Sequence, residues 1–465
     1  MWRNLKKILL ISIVGFTLIL IKGEMSAETC VPKQVAVIGG GLAGISTVYH
    51  LNKLTCLEVK LFENRNRLGG RIQTGKSVYS GEAINLGAEF IDSDQNEILQ
   101  LIKDLNKGHS ERLELYSWEE NDDWTEGTLF FKNSNGQINS ISQKEMIKRF
   151  FEKEAKMLVQ LDKVRDSVFR HFAKKGDGAD RQLVDRLEKV SIKSFLTNFE
   201  WEQPPTQMFY DYIELKILST QGKRLEELSS LKLLEAIDVL FESNSNDGYN
   251  WIKTFASHDE KIRLKGGTIQ LINALAKQLD PKIMNMNHRL LSISGGDKYQ
   301  LTFSIPQGTK VHNFDFVILT VPIYVLGKIK FENIPNFPLD QLKELVSNTY
   351  FTSVAKVFLH FDKPVWRDHK HFGATYHAEG FTTWSASNGL KNKPPIVTQV
   401  IYVTGQQARD LASDKPDQRE DFAKMVVDRF ESLWPGSQQS YQRVRSQCRV
   451  KNGNKKCPIE MSYWG

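Results

Sequence analysis

Residues 35–71 read VAVIGGGLAGISTVYHLNKLTCLEVKLFENRNRLGGR, and the fold is decided there. The apolar run 35–38 has the length and composition of a buried parallel strand. Gly39, Gly41 and Gly44 then fit G-x-G-x-x-G. The amphipathic stretch 43–54 predicts a helix, and 57–62 a second strand that ends at Glu63. A βαβ unit with an acid about twenty residues beyond its glycines is the pattern of a dinucleotide-binding turn. Gly39 lets the chain turn off the strand, Gly41 leaves bare backbone for a pyrophosphate, and Gly44 lets the helix pack close to the sheet. Leu42 and Ala43 sit at the helix start, where free N–H groups and the helix dipole favour a diphosphate. Glu63 is placed to accept hydrogen bonds from an adenosine ribose. The bland alternative is a glycine-rich turn without a ligand. Strand, helix, strand and acid in one register weigh against it.

The residues that follow, Glu63-Asn64-Arg65-Asn66-Arg67-Leu68-Gly69-Gly70-Arg71, resemble E-x-R-x-R-x-G-G-R of the flavin-containing amine oxidase family. That family includes monoamine, polyamine and L-amino-acid oxidases. A nicotinamide-dependent dehydrogenase does not need the second glycine pair. Arg71, with Arg65 and Gly70 in the same segment, puts fixed cations on approachable backbone, suited to a second face of the pyrophosphate. Further on, 84–91 (INLGAEFI) resembles the family's G-A-Q-[YW]-I segment. The resemblance implies that the backbone of Gly87, Ala88, Glu89 and Phe90 runs past the flavin ring and ribityl chain. Glu89 stands where glutamine is usual, so it either changes the charge beside the flavin or points away. The alternative for this segment is an ordinary buried strand.

Three later stretches carry the same resemblance. Residues 264–279 are similar to G-G-x-x-x-L-x-x-x-L-A, and 315–322 (DFVILTVP) to D-x-V-I-x-T-x-P. In 287–293 (NHRLLSI), Leu290 stands where the family has valine, which implies that its main chain brackets the adenine. Finally, 355–366 (AKVFLHFDKPVW) resembles K-[VI]-x-[LV]-x-F-x-x-x-F-W. The resemblance implies that Lys356 holds a water against flavin N5, where a cation assists electron transfer to oxygen. The alternative is a surface lysine on an edge strand, and its apolar neighbours argue against exposure. Trp366 is expected to pack rather than react, and 368–371 (DHKH) to be a solvated loop rather than a metal site.

The 465 residues suffice for two interleaved domains. The formal charge of +7 is spread along the chain without a basic–aromatic run, so it reads as solvated surface and not as a nucleic-acid site. Arg3, Lys6 and Lys7 precede the apolar run 8–21, which is shorter than the roughly 20 residues a membrane span requires. Residues 1–27 therefore read as an export signal or an uncleaved N-terminal anchor, with the rest outside the cytoplasm. Cys30 and Cys56 each precede one of two neighbouring parallel strands, which makes a bridge between them plausible. Cys448 and Cys457 flank a short polar loop and are the candidates for a second pair. The absence of C-x-x-C speaks against thiol redox chemistry and structural zinc. No G-x-S-x-G appears, as expected where a cofactor carries the chemistry.

Residues 116–137 read as a hairpin-rich insertion around an Asn135-Gly136 turn. Met146, Ile147, Phe150, Phe151, Met157, Leu158, Leu161, Val164 and Val168 recur at helical spacing. Further helices are expected over 183–196, 206–218 and 229–241, giving a helical block at about 145–255, which in the family belongs to the substrate domain. A helix at 420–433 and a strand at 444–448 follow. Residues 462–465 resemble the start of the family's tail. Its F-A-G-E strand and G-x-x-x-G-A-x-x-S-G helix start are not found here, which leaves flavin retention and activity of this chain alone open. The cysteine some relatives use to attach flavin lies in that tail too, so FAD is expected to be non-covalent.

The expected fold is α/β, a Rossmann-like FAD-binding domain (30–115 and 256–330) interleaved with an α+β substrate domain (116–255 and 331–465). The resemblance implies an FAD-dependent oxidoreductase acting on an amine and O2. Hydride passes to flavin N5, the imine hydrolyses, and oxygen yields H2O2. A desaturase or oxidase of a non-amine substrate, or a catalytically silent FAD-fold binding protein, remain alternatives. No oligomeric state follows from the sequence.

Overall fold

The computed structural model describes residues 8–10, 30–107, 112–117, 128–132, 137–175, 177–236, 241–244, 248–251, 260, 262–386, 396–413, 415–447 and 459–464. Strand β1 (Lys33–Ile38) leads into helix α1 (Leu42–Leu51), which returns the chain to strand β2 (Leu57–Phe62). β1 lies between β2 and β3 (Phe316–Leu319) in a five-stranded parallel sheet, with Met284–Asn285 outside β2 and Ile8–Leu10 outside β3. An all-parallel sheet is covered on both faces, which is why 35–38 is apolar throughout and at most 3% exposed. On one face Ile45 and Val48 of α1 pack with Leu271, Ile272 and Leu275 of the helix Ile269–Lys277. On the other lies a four-stranded sheet built from Arg289–Ser294, Tyr299–Ile305, Gly308–Phe314 and Lys330–Glu332. Phe62 stacks on Phe303 there at 4.4 Å.

The other large element is a seven-stranded sheet. Strand β4 (Val354–Phe361) pairs antiparallel with β5 (Val397–Thr404) on one side and β6 (Glu460–Trp464) on the other. Beyond β5 follow Phe381–Ser385, Thr375–His377, Thr128–Lys132 and Ile138–Ser142. Trp366, wholly buried, packs against Phe361 and Trp434 beneath this sheet. The helix Gln143–Phe172 is capped by Ser142, whose Oγ accepts from Glu145 N, and buries Met157, Leu158, Leu161, Val164 and Val168. The side chains of Met146, Ile147, Phe150 and Phe151 lie outside the described residues.

Several expectations are corrected. The single helix over 183–196 is two, Gly178–Lys189 and Ile192–Asn198, because Val190 is extended and Ser191 caps the second through Ser194 N. The helical block does not run to 255: Phe241–Asn244 and Gly248–Trp251 pair as antiparallel strands. Residues 444–447 are not a strand but the end of the helix Ser437–Gln447. Ser437, Ser440, Tyr441 and Val444 are its buried residues, at the spacing of one helical face. The 128–142 hairpin is an edge of the seven-stranded sheet rather than an insertion, and its turn at 133–136 lies outside the described residues. His371 is not solvated: it is buried, its Nδ1 accepts from Gly373 N and its Nε2 meets Thr128 Oγ1.

Cys30 and Cys56 are bridged, their Cα atoms 5.9 Å apart. Cys448 and Cys457 lie outside the described residues, as does all of 1–27 except Ile8–Leu10. Among the described residues no helix is long and apolar enough to cross a membrane.

Candidate functional site

The glycine turn at the end of β1 places the start of α1 directly over the sheet. The space at Gly44 explains why no side chain is accepted: a Cβ there would lie 1.8 Å from the Gly39 carbonyl oxygen and 2.8 Å from Thr320 Oγ1. No side chain caps the N-terminus of α1, and no acid lies in its first turn. The amides at Leu42, Ala43 and Gly44 thus form an electropositive end without a built-in anion. Glu63 closes the other side: its Oε2 accepts from Gly40 N (2.6 Å) and its Oε1 from Arg65 N (2.9 Å).

The second glycine pair lies against the first. Gly41 and Gly69 form a parallel bridge, and a Cβ on Gly70 would meet the Gly41 Cα at 3.2 Å. Bare main chain therefore faces bare main chain. Arg65 and Arg71 are exposed, whereas Arg67 turns inward and its guanidinium donates to the carbonyls of Leu68 (3.2 Å) and Gly70 (2.9 Å). Arg67 thus holds the loop that presents the other two cations.

From Arg71 the line continues without a gap. Gly87 N donates to Gln73 O and Ala88 N to Arg71 O. Asn85 Oδ1 accepts from Thr74 Oγ1 and from both Thr268 N and Thr268 Oγ1, tying the segment to the helix Ile269–Lys277. At its end stands Lys356 of β4. Its Nζ donates to Gly87 O (2.8 Å), Asn85 O (3.2 Å) and Glu89 Oε2 (2.9 Å). An ammonium has three N–H bonds, and all three are committed inside the chain. A water held by this lysine must displace one of these acceptors.

Glu89 faces two cations. It is buried between Lys356 and Arg263, whose Nη2 lies 3.2 Å from Glu89 Oε1. Burial alone would raise its carboxyl, but Lys356 and Arg263 outweigh that and hold it below the usual carboxylate range. Phe90 lies over the Arg263 guanidinium (4.6 Å) and edge-on to Trp384, whose ring is 5.3 Å from Lys356 Nζ. Tyr402, opposite Lys356 on β5, extends the aromatic wall, and burial pushes its phenol up to about 12. Leu290 is buried. Asn287 N and His288 N donate to the carbonyls of Arg65 and Glu63, which sets that strand beside the acid.

Sequence reasoning missed Gly40, Arg67, Thr320 and Arg263. Thr320 Oγ1 lies within hydrogen-bond reach of the Ile38 and Gly39 carbonyls. The signal for Arg263 was one charged residue in the strand Ile262–Leu264, immediately ahead of a glycine pair. Among the described residues no group of three potential metal ligands occurs. A cavity of about 290 Å³ beside His369 and His371 shares no residue with this site.

The sequence profile described as flavin containing amine oxidoreductase matches residues 42–451. An L-amino-acid oxidase of Demansia vestigiata is 26% identical over 348 residues, which are 73% of this chain and 60% of that oxidase. The chain thus spans less than two thirds of that relative's length. Polyamine oxidase 5 of Oryza sativa subsp. japonica is 23% identical, covering 91% of this chain and 76% of its own. Among solved structures, cyclohexylamine oxidase from Brevibacterium oxydans superposes with a TM-score of 0.67 at 16% identity, over 93% of this chain and 84% of that one.

Proposed function

The chain belongs to the flavin-containing amine oxidoreductase family, and from that premise we propose that it holds FAD non-covalently along the line from Gly39 to Lys356 and oxidises an amine of the monoamine, polyamine or amino-acid kind with O2. The observation that carries this reading is the uncapped start of α1 over the facing main chains of Gly41 and Gly70, continuous through Arg71 and Ala88 to Lys356. When bound, FAD supplies a two-electron acceptor that no side chain provides.

The chain's own groups do the rest. The amides of Leu42, Ala43 and Gly44 would hold the diphosphate, with the exposed Arg65 and Arg71 as cations for it. Glu63 would offer its remaining lone pairs to ribose hydroxyls, and the main chain at Leu290 would hold the adenine. The main chain of 87–90 would back the reactive ring, and Lys356 would supply a cation near it. Phe90, Trp384 and Tyr402 exclude water on that side and orient the substrate. Export is the accompanying proposal, supported by the basic and apolar character of 1–27 and by the Cys30–Cys56 bridge.

The test is a titration of the purified full chain with FAD, followed by peroxide assay on a panel of amines. Flavin absorption saturating at one FAD per chain, with peroxide released on amine addition, is the expected result. No uptake of FAD removes the dinucleotide reading; uptake without peroxide on any amine removes the substrate class. Recovery of the protein only from the cytoplasm of an exporting host removes the location.

A further inference from the structure

Two strands and one irregular segment deliver three charges to one buried point. Lys356 comes from β4, Glu89 from the segment that follows Gly87, and Arg263 from the strand Ile262–Leu264. Their side chains are 7%, 3% and 1% exposed. Arg263 Nη1 also donates to Ser385 O (2.9 Å), so the outer cation is anchored to the seven-stranded sheet. Burying each charge costs several kcal/mol, and apolar side chains of similar volume commonly hold strands together as well. The charges themselves are therefore the feature to be explained.

Resting on the reading of Lys356 as the cation beside the cofactor, we propose that Glu89 and Arg263 are positioning residues for it. Glu89 fixes the lysine against the 85–89 main chain and Arg263 holds Glu89 between them, so that the charge at that edge does not vary over the working pH. The chain of charges runs plus, minus, plus, and removal of the middle member leaves two cations facing each other. The other titratable groups packed here are Tyr116 opposite Arg263, Tyr402 on β5 with Glu260 near it, and, further along the same face of β4, the His360–Glu460 pair. Burial raises both phenols, so neither contributes a charge near neutral pH.

Two measurements decide the proposal. Urea unfolding of the chain without cofactor is compared for wild type, Glu89→Gln, Lys356→Met and the double variant. The loss caused by Lys356→Met is expected to shrink at least about twofold in the Glu89→Gln background, as it does for residues in contact. Independent, additive losses overturn the positioning claim. With FAD loaded, oxygen reoxidation of the reduced protein is followed across roughly pH 6 to 9. The wild-type profile is expected to be flat. Glu89→Gln is expected to gain an inflection, with a change on the order of tenfold, that is absent from the double variant. Glu89→Asp keeps the anion and is expected to keep the flat profile; it also carries the test if Glu89→Gln does not fold. A Glu89→Gln profile parallel to wild type, or a Glu89→Asp profile with the new inflection, overturns the proposal. A wild-type chain that takes up no FAD overturns the functional reading instead. The unfolding cycle then still decides whether Glu89 positions Lys356.

Discussion

Gly41 and Gly44 lie three residues apart, yet alanine at each should fail for a different reason. At Gly44 the added Cβ would sit 1.8 Å from Gly39 O, whereas ordinary Cβ contacts begin at 3.4 Å. The start of α1 must therefore move off β1 by about 1.6 Å, the difference between those distances. Overpacking of this kind costs about 1–3 kcal/mol. At Gly41 the nearest atom to a Cβ is the Gly70 Cα at 4.0 Å, and the backbone at φ −73° suits alanine. Its cost to the fold should stay below about 1 kcal/mol. The open space at Gly41 is, however, where a diphosphate would approach the main chain.

Thermal unfolding and FAD titration are to be measured on both variants. Gly44→Ala should lower the melting temperature and also weaken FAD binding, by a factor of about 5 to 150 if the 1–3 kcal/mol is lost from binding. Gly41→Ala should melt with wild type and still lose at least about tenfold in affinity, roughly 1.4 kcal/mol. If Gly41→Ala binds FAD as wild type does, the diphosphate does not lie against the Gly41 main chain and the reasoning fails. A Gly44→Ala protein as stable as wild type would refute the packing argument on its own.

Other outcomes are as direct. Trp366→Ala removes a wholly buried indole and should cost about 3–5 kcal/mol in chemical denaturation, while FAD affinity per folded molecule stays unchanged. Burial lowers the His371 imidazole to about 4 from an ordinary 6.5, so the unfolded chain takes up the proton first. Stability should thus be flat above about pH 6.5 on this account and fall by up to about 3 kcal/mol between pH 6.5 and 4. His371→Asn should remove that slope, whereas the part due to His377, also lowered by burial, should remain. Reducing the Cys30–Cys56 bridge, which spans 26 positions, should cost about 3–4 kcal/mol, read as a lower melting temperature in dithiothreitol.

What was legible in the sequence was whatever depended on local order. The strand 57–62 was placed at its observed bounds because six residues with strand character stand between a turn and an acid. Lys356 was singled out correctly as a non-surface lysine because its neighbours are apolar, and it is 5% exposed. Pairings between distant elements were less visible. Nothing near Glu89 announces Arg263, which lies 174 positions away, and either could pass for a solvated charge. The helix at 437–447 was misread at its end because Val444 and Arg445 suggest a strand when taken without the serines before them. Those serines are small enough to be buried, and Ser440 Oγ bonds the Asp362 carboxylate. Arg67 went unremarked because the motif treats its arginines alike, whereas only the middle one turns inward.

The short strand β6 fastens two halves of the molecule at once. Ser462 Oγ and Trp464 Nε1 both donate to Leu86 O, and Glu460 accepts from Ser77 Oγ and Val78 N, across 376 to 383 positions of sequence. The loop beneath the proposed flavin ring is therefore braced by residues that leave the ribosome more than 370 positions after it. Contacts of such separation are slow to close. Only the β1–α1–β2 turn is closed by near neighbours in sequence, whereas the brace on the 85–89 segment is complete only once β6 docks. A cofactor arriving first would be gripped by its phosphates and seated at its ring only at the last step.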